Sequence, residues 1–301
     1  MAINNIAKSG KKDVTQMIQD ISPYKYTNHY EPLPINGDSY IIMSKNSTVL
    51  VKNKEDSIDF PKAENIDPKI LNSVKDLRYL FTIGDSSLDH RYFLTANESL
   101  EKYLLENGYE YITLPALRVT KPQHLKFAAV TACQLAKWYS EHKFCGHCGK
   151  PMKHSEKERM VYCENCKVYE YPKICPAVIV GVTNGDKLLL TKYANFRRNS
   201  YALIGGFAEI GETIEETVQR EVMEEVGLRV KNIRYYKSQP WSFTSTLLFG
   251  FFCDVDGSDE LTVDKNELST AEWVKREDLP EDTGKVSLTA EMISKFSGGN
   301  R

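Results

Sequence analysis

The stretch EIGETIEETVQREVMEEVGL, residues 209–228, holds seven glutamates and a single basic residue, Arg220. Thr213 followed three residues later by Glu216 is a capping box, and Gly227 is a C-terminal stop, so the spacing predicts a helix over Ile214–Val226. Ile214, Val218, Val222 and Val226 recur every four residues and make its buried stripe. Glu221, Glu224 and Glu225 stand beside that stripe on one face. Like charges at this spacing cost about 0.2–0.5 kcal/mol per pair, which a solvated face tolerates. Glu225, however, points close to the apolar stripe, where an unpaired carboxylate is partly desolvated. A divalent cation removes both penalties. Donors that are all oxygen favour Mg²⁺ or Mn²⁺ over zinc and leave positions for water and a substrate phosphate.

Outward from this helix, the composition is that of a globular protein, with a formal net charge of −2 and 41% hydrophobic residues. No global basic field draws such a chain to nucleic acid or anionic membrane. No apolar run reaches membrane-spanning length, and MAINNIAKSGKKDV (residues 1–14) lacks the hydrophobic centre of a signal peptide. The expectation is a soluble, cytoplasmic protein with no membrane partner. Seven cysteines, an odd number with four in Cys-x-x-Cys pairs, argue for metal binding in a reducing compartment. Cys145-Gly-His-Cys148 and Cys163-Glu-Asn-Cys166 can close a tetrahedron around one structural Zn²⁺ per chain. Four reduced core cysteines are the bland alternative, opposed by the turn and surface residues Gly146, Gly149, Lys150 and Asn165 among them. His147 reads as a solvent-facing knuckle residue, and Cys133, Cys175 and Cys253 as small core residues.

Residues 1–122 read as a β-rich domain from SYIIMS and STVLVK around a Lys45-Asn46 turn, then RYLFTIG and RYFLTA. Leu125, Ala128, Ala132, Leu135 and Tyr139 predict an amphipathic connecting helix over 123–142. Residues 143–172 are the zinc ribbon. Residues 173–301 read as an α/β sandwich: a hairpin at Asn184-Gly185, the acidic helix, the strand STLLFGFFCDV, the segment TAEWVKREDLP and a helix over Leu288–Phe296. The fold class is α+β.

Gly206, Glu212 and the run from Arg220 to Leu228 are spaced as in the Nudix box, which the chain resembles at every fixed position. The resemblance implies a C-terminal Nudix α/β/α sandwich in which the acidic helix holds divalent metal and water attacks a diphosphate. In that chemistry cations neutralise the phosphates and lower the pKa of bound water. Carried over by position, Glu221 and Glu225 are metal ligands, Glu224 is a ligand or a base for the water, and Arg220 orients a glutamate. Downstream, Ser238-Gln239-Pro240-Trp241-Ser242-Phe243-Thr244-Ser245-Thr246 resembles the signature of the NADH pyrophosphatase family, which also carries a four-cysteine ribbon before its Nudix domain. Read alone, QPWSF is a loop with two core aromatics.

The family resemblance implies further substrate contacts at Arg118, Glu158, Tyr171 and Phe207, at Gln239, Pro240, Trp241, Ser242, Phe243, Thr244, Ser245 and Thr246, and at Ser287. It implies metal contacts at the Gly205 carbonyl and Glu267, with Asp264 a loop residue. Glu158 and Tyr171 read otherwise as a surface carboxylate and a structural aromatic. Arg118 departs from the family spacing to Cys145 by two residues. Ser242 and Thr244 replace prolines and Thr246 a serine, so the turn is less rigid. The implied activity is hydrolysis of NAD(H) to nicotinamide mononucleotide and AMP with Mg²⁺ or Mn²⁺, extending to removal of NAD caps from RNA, by a homodimer. Two alternatives stand beside it: an ADP-ribose or other dinucleotide pyrophosphatase of the Nudix class, and a nucleic-acid-binding zinc-ribbon protein with a non-catalytic Nudix fold.

Overall fold

The computed structural model describes residues 17–194, 201–280 and 286–298; the N-terminal stretch read for a leader lies outside them. Among the described residues no helix is long and apolar enough to cross a membrane.

Eight strands come first: β1 (Lys25–Thr27), β2 (Tyr40–Ile42), β3 (Ser44–Lys45), β4 (Thr48–Lys54), β5 (Ser57–Asp59), β6 (Arg78–Gly84), β7 (Asp89–Leu94) and β8 (Glu110–Thr113). They form one sheet of order β1-β6-β7-β2 and another of order β3-β4-β5, with β8 paired to β4. The segment RYLFTIG is buried from its second residue to its last, which its nearly unbroken apolar run foretells for a strand covered on both faces. The β3–β4 turn falls on Asn46-Ser47, one residue later than the sequence reading. Their φ values of 49° and 59° are the left-handed pair that a two-residue hairpin with the right twist requires. Two short helices, α1 (Pro68–Ser73) and α2 (Glu98–Glu106), cover the outer core.

The helix expected to join two units, α3 (Gln123–Glu141), instead lies inside one. A single core takes in Leu80, Phe81 and Tyr92 of the sheet, Ala128, Ala132 and Trp138 of α3, and Cys145, Met152, Val161 and Cys163 of the ribbon. The reason is size. The ribbon strands β9 (Lys153–His154), β10 (Val161–Tyr162) and β11 (Tyr169–Glu170) are two residues each and cannot enclose a core alone. Residues 18–177 and 239–248 make up this unit.

The other unit carries most of β12 (Cys175–Asn184), then β13 (Lys187–Tyr193), α4 (Ile214–Val226), the bulk of β14 (Val230–Trp241) and β15 (Thr246–Val255), β16 (Leu268–Lys275) and α5 (Leu288–Phe296). Its sheet order is β14-β15-β12-β13-β16. The β12–β13 hairpin closes with Asn184 facing Lys187, so Gly185 and Asp186 occupy the turn rather than Asn184 and Gly185; only Gly185, at φ 60°, is left-handed. Phe251 and Cys253 share a core with Val218, Val222 and Val226 of α4. Side chains alternate along a strand, so Gly250 faces the opposite side, where a Cβ would meet Met292 Sδ of α5 at 2.8 Å. The two helices therefore sit on opposite faces of one sheet, an α/β/α sandwich. Cys133 and Cys253 are buried as expected, whereas Cys175 at the start of β12 is only half-buried.

Candidate active site

The capping box is present in full: Thr213 Oγ1 accepts from the Glu216 amide, the Glu216 carboxylate accepts from the Thr213 amide, and Gly227 ends α4 at φ 71°. With both ends so fixed, the four-residue repeat buries Val218, Val222 and Val226 completely. It carries two carboxylates in with them. Glu221 is 8% exposed and Glu225 2% exposed, while Glu224 one position over stays in solvent.

The loop before the helix lies along β12. The Val178 and Val180 amides donate to the carbonyls of Gly206 and Ile204, at 2.9 and 2.8 Å. In extended chain the intervening residue turns its amide and carbonyl the other way. Gly205 thus offers both on the Glu225 side, in keeping with its amide easing the Glu225 charge. Gly206 packs directly on Glu221: a Cβ there would lie 2.0 Å from the Glu221 carboxyl carbon. A glycine is the residue that leaves room for that carboxylate.

Arg220 ties the loop to the helix. Its Nε and Nη2 donate to the two Glu212 oxygens at 2.6 and 3.0 Å, and Nη1 donates to Glu221 at 2.7 Å and Glu224 at 2.9 Å. Nη2 also reaches the Phe207 carbonyl at 2.9 Å, leaving the Phe207 ring exposed. The glutamates that Arg220 holds are thus Glu212, Glu221 and Glu224. Glu212 also accepts from Thr217 and from the Glu209 amide. The Arg220 guanidinium beside Glu212 holds its carboxyl down to about 2.

Glu225 has the opposite environment. Both its oxygens are buried without a hydrogen-bond partner among the described residues. Burial, with Glu221 and Glu267 nearby, pushes its carboxyl up to about 8. Two buried oxygens beside Glu221, Glu267 and the Gly205 carbonyl side, whose charged form is disfavoured without a counter-ion, are what a hard divalent cation would satisfy, so the residues present fit such an ion. Glu267 lies on the loop entering β16, its carbonyl accepting from Ala194 at 2.8 Å. Asp264, read as loop, docks by its amide on the Glu225 carbonyl at 2.9 Å and bears on the Glu225 charge. Tyr193, at the end of β13, was not foreseen. Its hydroxyl is raised by burial and then by Glu225, Glu267 and Glu221. Nothing in its sequence pattern separates it from an ordinary strand-end tyrosine.

In the ribbon the four cysteine sulfurs lie within 4.8 Å of one another, and Cys148 and Cys163 approach to 3.6 Å. Sulfurs about 2.3 Å from a central ion at tetrahedral angles stand close to that far apart, so the quartet fits Zn²⁺. The two knuckles repeat one design. Gly149 and Lys167 donate to the carbonyls of Cys145 and Cys163 at 2.8 and 2.9 Å, with φ 70° and 58°. His147 is exposed, its Nδ1 3.3 Å from Cys166 Sγ, and is no part of the quartet. Among the described residues no acidic set gathers as tightly.

The expected substrate residues fall into three groups. Tyr171 donates to Glu158 at 2.9 Å on the exposed face of the ribbon. Arg118 stacks over the Trp241 and Phe243 rings, at 5.2 and 5.1 Å, despite the departure in spacing. Ser287 is the N-cap of α5, accepting from the Ala290 amide. The segment Gln239–Trp241 is not loop: it ends β14, and only residues 242–245 turn. Pro240 there is exposed while Gln239, Ser242 and Thr246 are buried, and Thr244 and Thr246 link hydroxyls at 2.7 Å. A proline suits the outer position of such a strand.

The profile of the Nudix domain matches residues 173–296, and the profile of the NADH pyrophosphatase zinc ribbon domain matches residues 140–171. The chain thus carries a Nudix domain preceded by a ribbon of the NADH pyrophosphatase type. A Klebsiella pneumoniae protein named NAD-capped RNA hydrolase NudC is 47% identical over 148 residues, covering 49% of this chain and 57% of the relative. One of the same name from Salmonella heidelberg is 44% identical over 147 residues, with the same coverage. The chain thus matches little more than half the length of these relatives. A Nudix hydrolase from Nitrosomonas europaea, of known crystal structure, aligns over 51% of this chain and 90% of its own at 21% identity and a TM-score of 0.44.

Proposed function

We propose that the protein hydrolyses the diphosphate of NAD(H) to nicotinamide mononucleotide and AMP, and removes NAD caps from RNA by the same reaction. The observation that carries the reading is Glu225, buried among carboxylates with both oxygens unpartnered. Magnesium or manganese bound there would supply charge neutralisation and an acidified water. Glu221, Glu225, Glu267 and the Gly205 carbonyl would hold that ion. Arg220 fixes the rotamers of Glu221 and Glu224 and clamps the preceding loop through Glu212. Glu224, exposed and oriented by Arg220, would take a proton from the attacking water. Phe207 presents its exposed ring for stacking on a base. Arg118, Trp241 and Phe243 form a second aromatic platform, with Gln239, Pro240, Ser242, Thr244, Ser245 and Thr246 shaping the strand and turn beneath it. Glu158, Tyr171 and Ser287 are further contact positions.

The ribbon of residues 143–172 carries structural zinc, and residues 173–301 form the hydrolytic domain of a cytoplasmic homodimer. Chromatography of the products from NADH, with and without a chelator, tests the reading. Metal-dependent release of nicotinamide mononucleotide and AMP is expected. A large preference for ADP-ribose would replace it with the ADP-ribose reading, which the looser Ser242-Phe243-Thr244 turn favours.

A further inference from the structure

The unit made of residues 18–177 and 239–248 contains a cleft of about 630 Å³. That volume lies in the range of roughly 300–1,000 Å³ typical of small-molecule sites. One wall is the face of α3 bearing Gln134, Lys137 and Glu141; another is the start of β6 with Asp76 and Arg78 near it; Ser242, Phe243 and Ser245 close it from the hairpin turn. In a chain of net charge −2, its lining brings Lys45, Arg78, Lys137 and Lys143 against only Asp76 and Glu141.

Most of these charges are already satisfied. Lys45 binds Glu101, Lys137 pairs with Glu141 at 3.8 Å, and Asp76 accepts from Thr95 Oγ1 at 2.6 Å and the Ala96 amide at 2.9 Å. Two cations remain. The half-buried Arg78 donates from Nη2 to His154 Nε2 at 2.7 Å and lies over the Tyr139 ring at 4.3 Å. Burial and Arg78 itself lower the His154 pKa, so this partner is neutral. No carboxylate lies within 4.0 Å of Arg78 among the described residues. The exposed Lys143 ammonium has no partner there either. A partly desolvated guanidinium that donates to a neutral imidazole, with Asp76 acting on it through space but not in a direct ion pair, is incompletely paired, and its planar fork matches a phosphate.

We propose that this cleft binds a nucleoside monophosphate, its phosphate on Arg78 and Lys143 and its ring system in the remaining volume beside Phe243. The cavity is far larger than a bare phosphate. Its rim is the turn assigned above to the dinucleotide, so the class of ligand rests on the proposed reaction, whose two products are nucleoside monophosphates. A product held here would act back on the turn at residues 242–245.

The test is calorimetric titration of the zinc-loaded full chain, without added magnesium or manganese, with AMP, nicotinamide mononucleotide, inorganic phosphate and adenosine. At least one mononucleotide should bind about tenfold or more tightly than adenosine and than phosphate, and Arg78→Ala should weaken it by a similar factor, as loss of a charge-assisted hydrogen bond does. Lys143→Ala, at an exposed side chain, should weaken it severalfold in a protein that folds normally. Undiminished binding in Lys143→Ala and Arg78→Ala overturns the proposal, as does equal affinity for adenosine or for phosphate alone. Failure of the hydrolytic reading would show separately, as NADH left intact by the wild type with magnesium.

Discussion

The two candidate cation sites are built by opposite means. In the ribbon, each pair of sulfurs comes from one knuckle of four residues, and a local backbone turn does the positioning. In the sandwich, Glu221 and Glu225 come from one helix and Glu267 from a loop more than forty residues on, and they converge because α4 buries one face against the sheet. The sulfurs are gathered to within 4.8 Å; the carboxylates are not. A locally built cradle survives changes elsewhere, whereas one assembled by packing is only as good as the core behind it.

The comparison breaks hardest at Glu225. Glu225→Gln keeps the volume but removes the charge that binds the ion, and should cost about a hundredfold or more in NADH turnover, since an ion's charge stabilisation is worth several kcal/mol. Steady-state kinetics with saturating manganese measure it. Cys163→Ser should leave no bound zinc by metal analysis and should destabilise residues 18–177 as a whole, because Cys163 lies in the core shared with α3. The loss expected in urea unfolding is about 3 kcal/mol or more for a structural metal site. Gly206→Ala must displace the Glu221 carboxyl from a 2.0 Å overlap. Turnover should fall about tenfold or more with little change in zinc content, consistent with the cost of misplacing a reacting group.

Acidity separates the cradles further. The Glu225 carboxyl is raised from 4.5 to about 8, so in metal-free protein its contribution favours folding below about pH 4.5 and is lost progressively as pH rises through 8. Thermal melting at pH 5 and pH 8 should show this decline, and Glu225→Gln should flatten it. The smallest effect concerns the second knuckle. Lys167 holds φ 58° where the first knuckle has Gly149, so Lys167→Gly should stabilise the ribbon by up to about 1 kcal/mol in denaturant unfolding. A destabilised variant would mean that the two knuckles are not equivalent.

Legibility follows the range of the interactions. The α4 boundaries, its cap, its apolar stripe and the cysteine quartet all depend on residues a few positions apart, and the structure has each where the spacing puts it. Turn positions were off by one at Asn46-Ser47 and Gly185-Asp186, because strand pairing on either side decides which residues are left over. QPWSF, read alone, is a loop with two core aromatics, but Gln239–Trp241 end β14, where Pro240 occupies an exposed position that an edge strand tolerates. The packing of Arg118 over the Trp241 ring was not legible, because that ring lies more than a hundred residues away in sequence.

By itself the sequence determined which side chains could hold ions: four thiols in paired knuckles and a helix whose period sets carboxylates beside valines. Tertiary structure alone decided how those carboxylates differ. Glu212 is pulled down by Arg220, while Glu225 is pushed up by burial. The spacing of glutamates along a helix is local chemistry, but the dielectric each one meets depends on what the rest of the chain packs against it.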